Sequence, residues 1–343
     1  MKTKLFLLCL LALGLVAGDA QAQSQDRAGT AGATYLLVPT TARTAALSVP
    51  ITGGLSDLNP IEALASNPAG IVGSTSETSA LFSRMEYVAD IGINYFGVAR
   101  KFGNNSIALT VNAWDFGDIS LQTEDSPELS DLTFDASNVI VGVSLGRQFT
   151  DRIAAGVTVK GLVESVDDVS ANGLAFDAGM TYIAGESGLR FGVALKNFGP
   201  KMQYDGTGLV RFAPLPEQRP GAKANAVNID AAAFELPSQL SVGFSYQRPF
   251  SEAASATLFG SFTSNSFSQD LISGGLEVGV LDLVYVRGGY SFQEDRDATF
   301  YEGWNLGAGL NLNVGGRGIT ADYAYRPVEF FEAVNMFTVG VGL

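Results

Sequence analysis

The sequence predicts an all-β protein: a 14-stranded antiparallel transmembrane outer-membrane β-barrel with a small N-terminal helical or irregular plug. Three observations carry this reading. Apolar residues alternate with small or polar ones in stretch after stretch, so each strand has one lipid-compatible face. The connections between stretches alternate between short and long, as at the two rims of an outer-membrane barrel. Mean hydropathy is positive, +0.19, yet nothing after residue 22 approaches the roughly 18 consecutive apolar residues of a spanning helix.

The elements follow in order. Lys2 and Lys4, an apolar run from Leu5 to Ala17 and Ala20-Gln21-Ala22 form an export signal over residues 1–22. The single cysteine, Cys9, leaves with it, so the mature chain has no disulfide. Residues 23–76 lack the alternation. They are rich in Ala, Leu and Thr, are broken by Pro39, Pro50 and Pro60, and read as a compact plug in or under the periplasmic mouth. Within the plug, Asn67-Pro68-Ala69-Gly70 taken alone is a turn. The barrel occupies 77–343, with strands expected near 79–88, 91–101, 105–116, 136–149, 152–163, 172–183, 188–198, 238–248, 254–264, 270–280, 283–292, 303–313, 317–326 and 335–343. On the last strands Leu306, Leu310, Tyr323, Val339 and Val341 face outward and Asn311 inward.

Connections such as Gly103-Asn104, Thr150-Asp151 and Gly315-Gly316 are tight, whereas Gly117–Asp135, Gly199–Pro237 and Gln293–Glu302 are long. An even strand count then puts both termini on the short-turn, periplasmic side of a Gram-negative outer membrane. The 40 glycines suit strands whose inner faces are crowded.

Charge and composition exclude several functions. The chain carries a formal −14, and phosphate binding needs a basic surface, so nucleic acid is not a partner. It has no histidine. Ser–His and Cys–His catalysis and His-rich zinc sites therefore fall away. No carboxylate pair commits to chemistry, so the chain reads as a non-enzyme with no metal and no cofactor.

Three constellations remain. The Gly199–Pro237 connection carries apolar anchors and basic residues, among them Met202, Tyr204, Arg211, Phe212, Pro214, Leu215 and Arg219, and reads as an ordered lid or docking surface. Gly117–Asp135 is acidic without a basic residue, a solvated loop whose spacing matches no cation-binding pattern. Strand parity places Lys160, Asp177, Arg190, Lys196, Glu277, Arg287, Asp322 and Arg326 inward. There they either pair and fill the lumen or line a substrate route.

Three segments in order resemble the PorV/PorQ family, a branch of the FadL-like outer-membrane barrels. They are Ala31-Gly32-Ala33-Thr34-Tyr35-Leu36 with Ala42-Arg43-Thr44-Ala45 and Asn67-Pro68-Ala69-Gly70; Leu195-Lys196-Asn197-Phe198-Gly199-Pro200-Lys201 with Leu236-Pro237; and Asp322-Tyr323-Ala324-Tyr325-Arg326-Pro327. The resemblance spans nearly all of the mature chain and implies a fourteen-stranded barrel whose plug motif includes Arg43, Asn67, Pro68, Ala69 and Gly70. It implies a component of type IX protein secretion, a monomeric barrel within a larger complex. Such a barrel binds the C-terminal signal domain of secreted cargo at its extracellular loops and passes it to surface attachment. The alternative is a FadL-like passive transporter of hydrophobic small molecules. The partners expected are outer-membrane lipid, secreted cargo and other secretion components.

Overall fold

A computed structural model describes residues 31–55, 58–73, 76–120, 133–213, 224–293 and 301–343. The export signal and its cleavage site lie outside these residues, as do Pro214, Leu215 and Arg219. The barrel strands are β1 (Thr78–Glu86), β2 (Gly92–Phe102), β3 (Asn105–Asp115), β4 (Ala136–Thr150), β5 (Ile153–Val166), β6 (Val169–Ile183) and β7 (Leu189–Phe198). The second half adds β8 (Gln239–Ser251), β9 (Ala254–Asn265), β10 (Leu271–Val280), β11 (Val284–Phe292), β12 (Trp304–Val314), β13 (Arg317–Arg326) and β14 (Val334–Gly342). Each pairs antiparallel with its neighbours in sequence, and β14 pairs with β1, Val339 opposite Phe82. The result is a closed ring of 14 strands. Closure satisfies the backbone N–H and C=O groups without water, the condition for crossing hydrocarbon.

The faces follow the alternation. Leu306, Leu310 and Val339 are exposed, while the intervening Asn305 and Thr338 are buried. Apolar side chains therefore ring the outside and the polar ones point into the lumen.

The segment before β1 fills that lumen. It begins with Ala31 bridged to Glu235, beside the start of β8 at the long-connection rim. A 3-10 turn (Thr34–Leu37) leads to α1 (Ala42–Leu47), then α2 (Pro60–Ser66), then a second 3-10 turn (Pro68–Gly73). The segment reaches β1 at the opposite rim, where Thr78 N donates to Leu343 O at 3.2 Å. α2 has a clear start. Asn59 Oδ1 accepts from Ile61 N at 3.0 Å, and Pro60 stands at the first helical position, where its missing N–H is not needed. It stops before Asn67-Pro68, because proline disfavours helix in the residue before it.

This path corrects one expectation. The plug does not sit only at the short-turn mouth, and Ala31 and Leu343 lie at opposite rims. An even strand count fixes the rim at which β1 starts but says nothing of the chain before it. That chain is apolar and lies along the lumen, where Leu47, Val49, Ile51, Ile61 and Ile71 are almost wholly buried.

The barrel wall is shaped to receive it. A Cβ added at Gly156 would collide with Pro68 O, at Gly179 with Asn67 Oδ1, and at Gly289 with Leu47 O. Gly156 and Gly289 let the plug backbone touch the wall directly, and Gly179 makes room for the Asn67 side chain.

Candidate functional site

The lumen has three levels: a lock, a chamber and a cap. The lock fixes the plug to the wall. Arg43, on α1, donates from Nη2 to Glu277 Oε1 at 2.6 Å and from Nε to Glu277 Oε2 at 2.8 Å. Arg287 bonds Glu277 in turn and also Asp322, so β10, β11 and β13 are joined to the plug by a chain of two cations and two anions. All four side chains are buried, and a buried charge is tolerated only when paired in this way. On the other side of the plug, Asn67 Nδ2 donates to Thr52 O at 2.8 Å and to Met180 O at 3.1 Å. Its Oδ1 accepts from Ala69 N at 2.9 Å. The Asn67-Pro68-Ala69-Gly70 stretch is thus a turn and also a clasp onto β6.

The cap closes the long-connection end. Tyr35 meets Trp114 edge-on at 6.0 Å between ring centroids, and Trp114 meets Tyr87 at 5.6 Å. Met85, Met202, Leu236 and Met336 complete this cluster. Tyr301 donates to Tyr87 Oη at 3.2 Å, and the Arg326 guanidinium lies 3.9 Å from the Tyr301 ring centroid.

Between cap and plug lies a cavity of about 230 Å³. Leu36, Val38 and Pro39 come from the chain leaving the cap, Leu64 and Ala65 from α2, and Tyr95, Asn112 and Ile140 from the wall. Four of the eight inward charges, Lys160, Asp177, Lys196 and Arg326, line it too. Lys160 Nζ pairs with Asp177 Oδ2 at 2.6 Å and donates to Asn197 Oδ1 at 2.8 Å. Lys196 Nζ donates to Ala65 O at 2.6 Å. The chamber is therefore amphipathic, with an apolar side and a cationic side. Glu277, Arg287 and Asp322 belong instead to the lock, and Arg190 lines a smaller cavity of about 70 Å³ under the plug.

Beside the chamber the wall changes character. The β6–β7 ladder runs from Ile183 to Phe176 with a register shift between Phe176 and Ala178. Asn197 adopts φ +59°, and its N–H donates to Asp177 Oδ1 at 2.8 Å. Past this kink the strand Tyr204–Gly206 pairs with Val169–Ala171 instead. Between the two pairings the Met202 side chain packs on Gly173 and closes the wall.

This places the residues expected at the docking loop. Met202 is 1% exposed and belongs to the cap. Tyr204 is half-buried and bonds Glu164. Arg211 and Phe212 are exposed on the hairpin formed by Val210–Ala213 and Asn225–Asn228. The inner half of the connection is thus a piece of wall and cap, and the outer half projects. Parity found the inward charges. It could not find Tyr35, Trp114 or Met202 as cap residues, since nothing in the alternation marks a side chain that closes a mouth.

No family model matches the chain, and no curated protein matches it. Among solved structures it is similar to the P. putida toluene transporter TodX, with a TM-score of 0.54 and 11% identity over 88% of this chain and 96% of that one. It is also similar to the deltaS2S3 mutant of TodX, a monoaromatic hydrocarbon channel, with a TM-score of 0.53 and 10% identity over 88% and 97% of the two chains. At such identity the likeness shows the fold alone. The shared fold is a closed antiparallel β-barrel of the outer-membrane kind.

Proposed function

We propose that this barrel is a passive channel for small hydrophobic or amphipathic molecules across the outer membrane, with the N-terminal segment as its gate. The observation that carries this is the chamber of about 230 Å³ between an aromatic cap and a locked plug, inside a barrel. A compartment of that size is a stopping place for a molecule of a dozen or so heavy atoms, since about 150 Å³ already accepts benzene. It has no use in docking a folded domain. The similar barrel TodX is named a toluene transporter, which supports the same reading. The cargo shuttle finds less support, because Met202 and Tyr204, two of its proposed anchors, are turned into the cap and wall.

Orientation follows from the rims. With the short turns facing the periplasm, as in bacterial barrels, Leu343 ends there and Ala31 lies at the outer mouth.

The test is accumulation of toluene by cells that keep an intact lipopolysaccharide outer membrane, with and without the protein. The channel should speed accumulation. Asn67→Ala, which unfastens the clasp on β6, should speed it further by several-fold. Accumulation equal to that of cells lacking the protein would sink the reading.

A further inference from the structure

The chamber holds more positive charge than it neutralises. Lys160 is matched by Asp177. Lys196 has one partner, the neutral Ala65 carbonyl, and none of the ion pairs among the described residues includes it. Arg326, at the cap end of the same cavity, has the Tyr301 ring and Asn305 Oδ1 at 3.3 Å, and likewise no carboxylate. An ammonium inside a membrane-spanning lumen is costly, so one left without a counter-ion marks a substrate or ion path.

One further group points the same way. Tyr35 lines the chamber, and its buried hydroxyl has no hydrogen-bond partner among the described residues. Burial, and then the Glu164 carboxylate, keep the Tyr35 phenol protonated far above its usual range, so it is a donor in search of an acceptor.

The remaining lining sets the other half of the ligand. Leu36, Val38, Leu64, Ile140 and Leu271 give the cavity an apolar side. Its volume of about 230 Å³ holds a single ring with a short substituent and excludes a long acyl chain.

We propose that the chamber is a binding site for small organic acids, of one ring or a short chain, with the carboxylate against Lys196 and the hydrocarbon body against the apolar side. This rests on the channel reading and narrows it from hydrophobic molecules in general to small anionic amphiphiles. A plain hydrocarbon would leave Lys196 and Tyr35 unanswered, whereas a carboxylate accepts from both.

The experiment titrates the purified, folded barrel in detergent with benzoate and with toluene, by calorimetry near pH 7. Uptake of both probes is followed in cells. Lys196→Gln should weaken benzoate binding about tenfold or more, the usual size of a charged hydrogen bond, and leave toluene binding unchanged. Asn112→Asp puts a negative charge into the same chamber without touching the bond from Lys196 to Ala65, and should weaken benzoate in the same direction. It decides the matter if Lys196→Gln fails to fold. Heat-modifiable migration reports folding for each variant. The proposal is overturned if the wild type binds toluene but not benzoate, or if folded variants bind benzoate as the wild type does. The two readings separate cleanly. Benzoate bound in detergent but neither probe taken up by cells would end the channel and keep the site. Toluene taken up with no benzoate bound would do the reverse.

Discussion

Glu62 stands in the first turn of α2, 3% exposed, and its Oε1 has no hydrogen-bond partner among the described residues. Burial, then the Asp322 carboxylate, raise its pKa to about 7, against the opposing pull of Arg43 and Arg287. Glu277 on β10 adds a second repelling carboxylate, and the Tyr95 phenol faces it from β2. The sign of the pH effect follows. Below about 4.5, the ordinary value, Glu62 is protonated whether the chain is folded or not. Between 4.5 and 7 the folded form holds the proton that the unfolded form has lost, so stability falls as pH rises through this window. The loss amounts to roughly 3 kcal/mol above pH 7. Glu62→Gln should therefore raise the urea midpoint at pH 8 and leave it nearly unchanged at pH 4. A variant equally stabilised at both pH values would show that shape, and not charge, is at issue.

At the scale of the strand, the alternation makes a sharper claim. β12 pairs with β11 and β13 so that Leu310 lies opposite Val284 and Ala321, all on the lipid side. Arg at Leu310 should cost about 2 kcal/mol, between the midplane and interfacial values, while Arg at the neighbouring inward Asn311 should cost much less. Equal costs in vesicle-reconstituted protein would mean that the register is slipped by one. The strands were legible in the sequence for this reason: one face must satisfy lipid, and lipid enforces period two without exception. The plug was legible only as an absence of that period. Its helices are six and seven residues long, too short to show a period of 3.6, and they are held by contacts with a wall that is distant in sequence. The site was half legible. Parity turned Lys160 and Lys196 inward, but whether each found an anion depended on a neighbouring strand, as with Lys160 on β5 and Asp177 on β6. Arg43 finds its carboxylate 234 residues away. Asn197 reads from sequence as an ordinary strand residue, and its left-handed backbone, which bends β7 away from β6, came only with the structure.

For the whole molecule, the path of the first segment has a kinetic meaning. The chain from Ala31 to Thr78 is a rod inside a ring: it is at one rim when it starts and at the other when it becomes β1. Such a rod is placed in one of two ways. The sheet curls around it and zips last at the β1–β14 seam, or a finished ring is threaded by a free end. Gly156 and Gly289 leave the plug backbone in contact with the wall, so there is no clearance for threading anything wider than bare chain. A folded, globular fusion joined upstream of Ala31 separates the routes. It should leave the yield of heat-modifiable barrel unchanged if the sheet wraps its own axle, and should abolish it if the axle is pushed through a finished wheel. Wrapping is the outcome expected. The seam between first and last strand is then the final act of assembly, and Ala31 is set down at the far mouth before the door is shut.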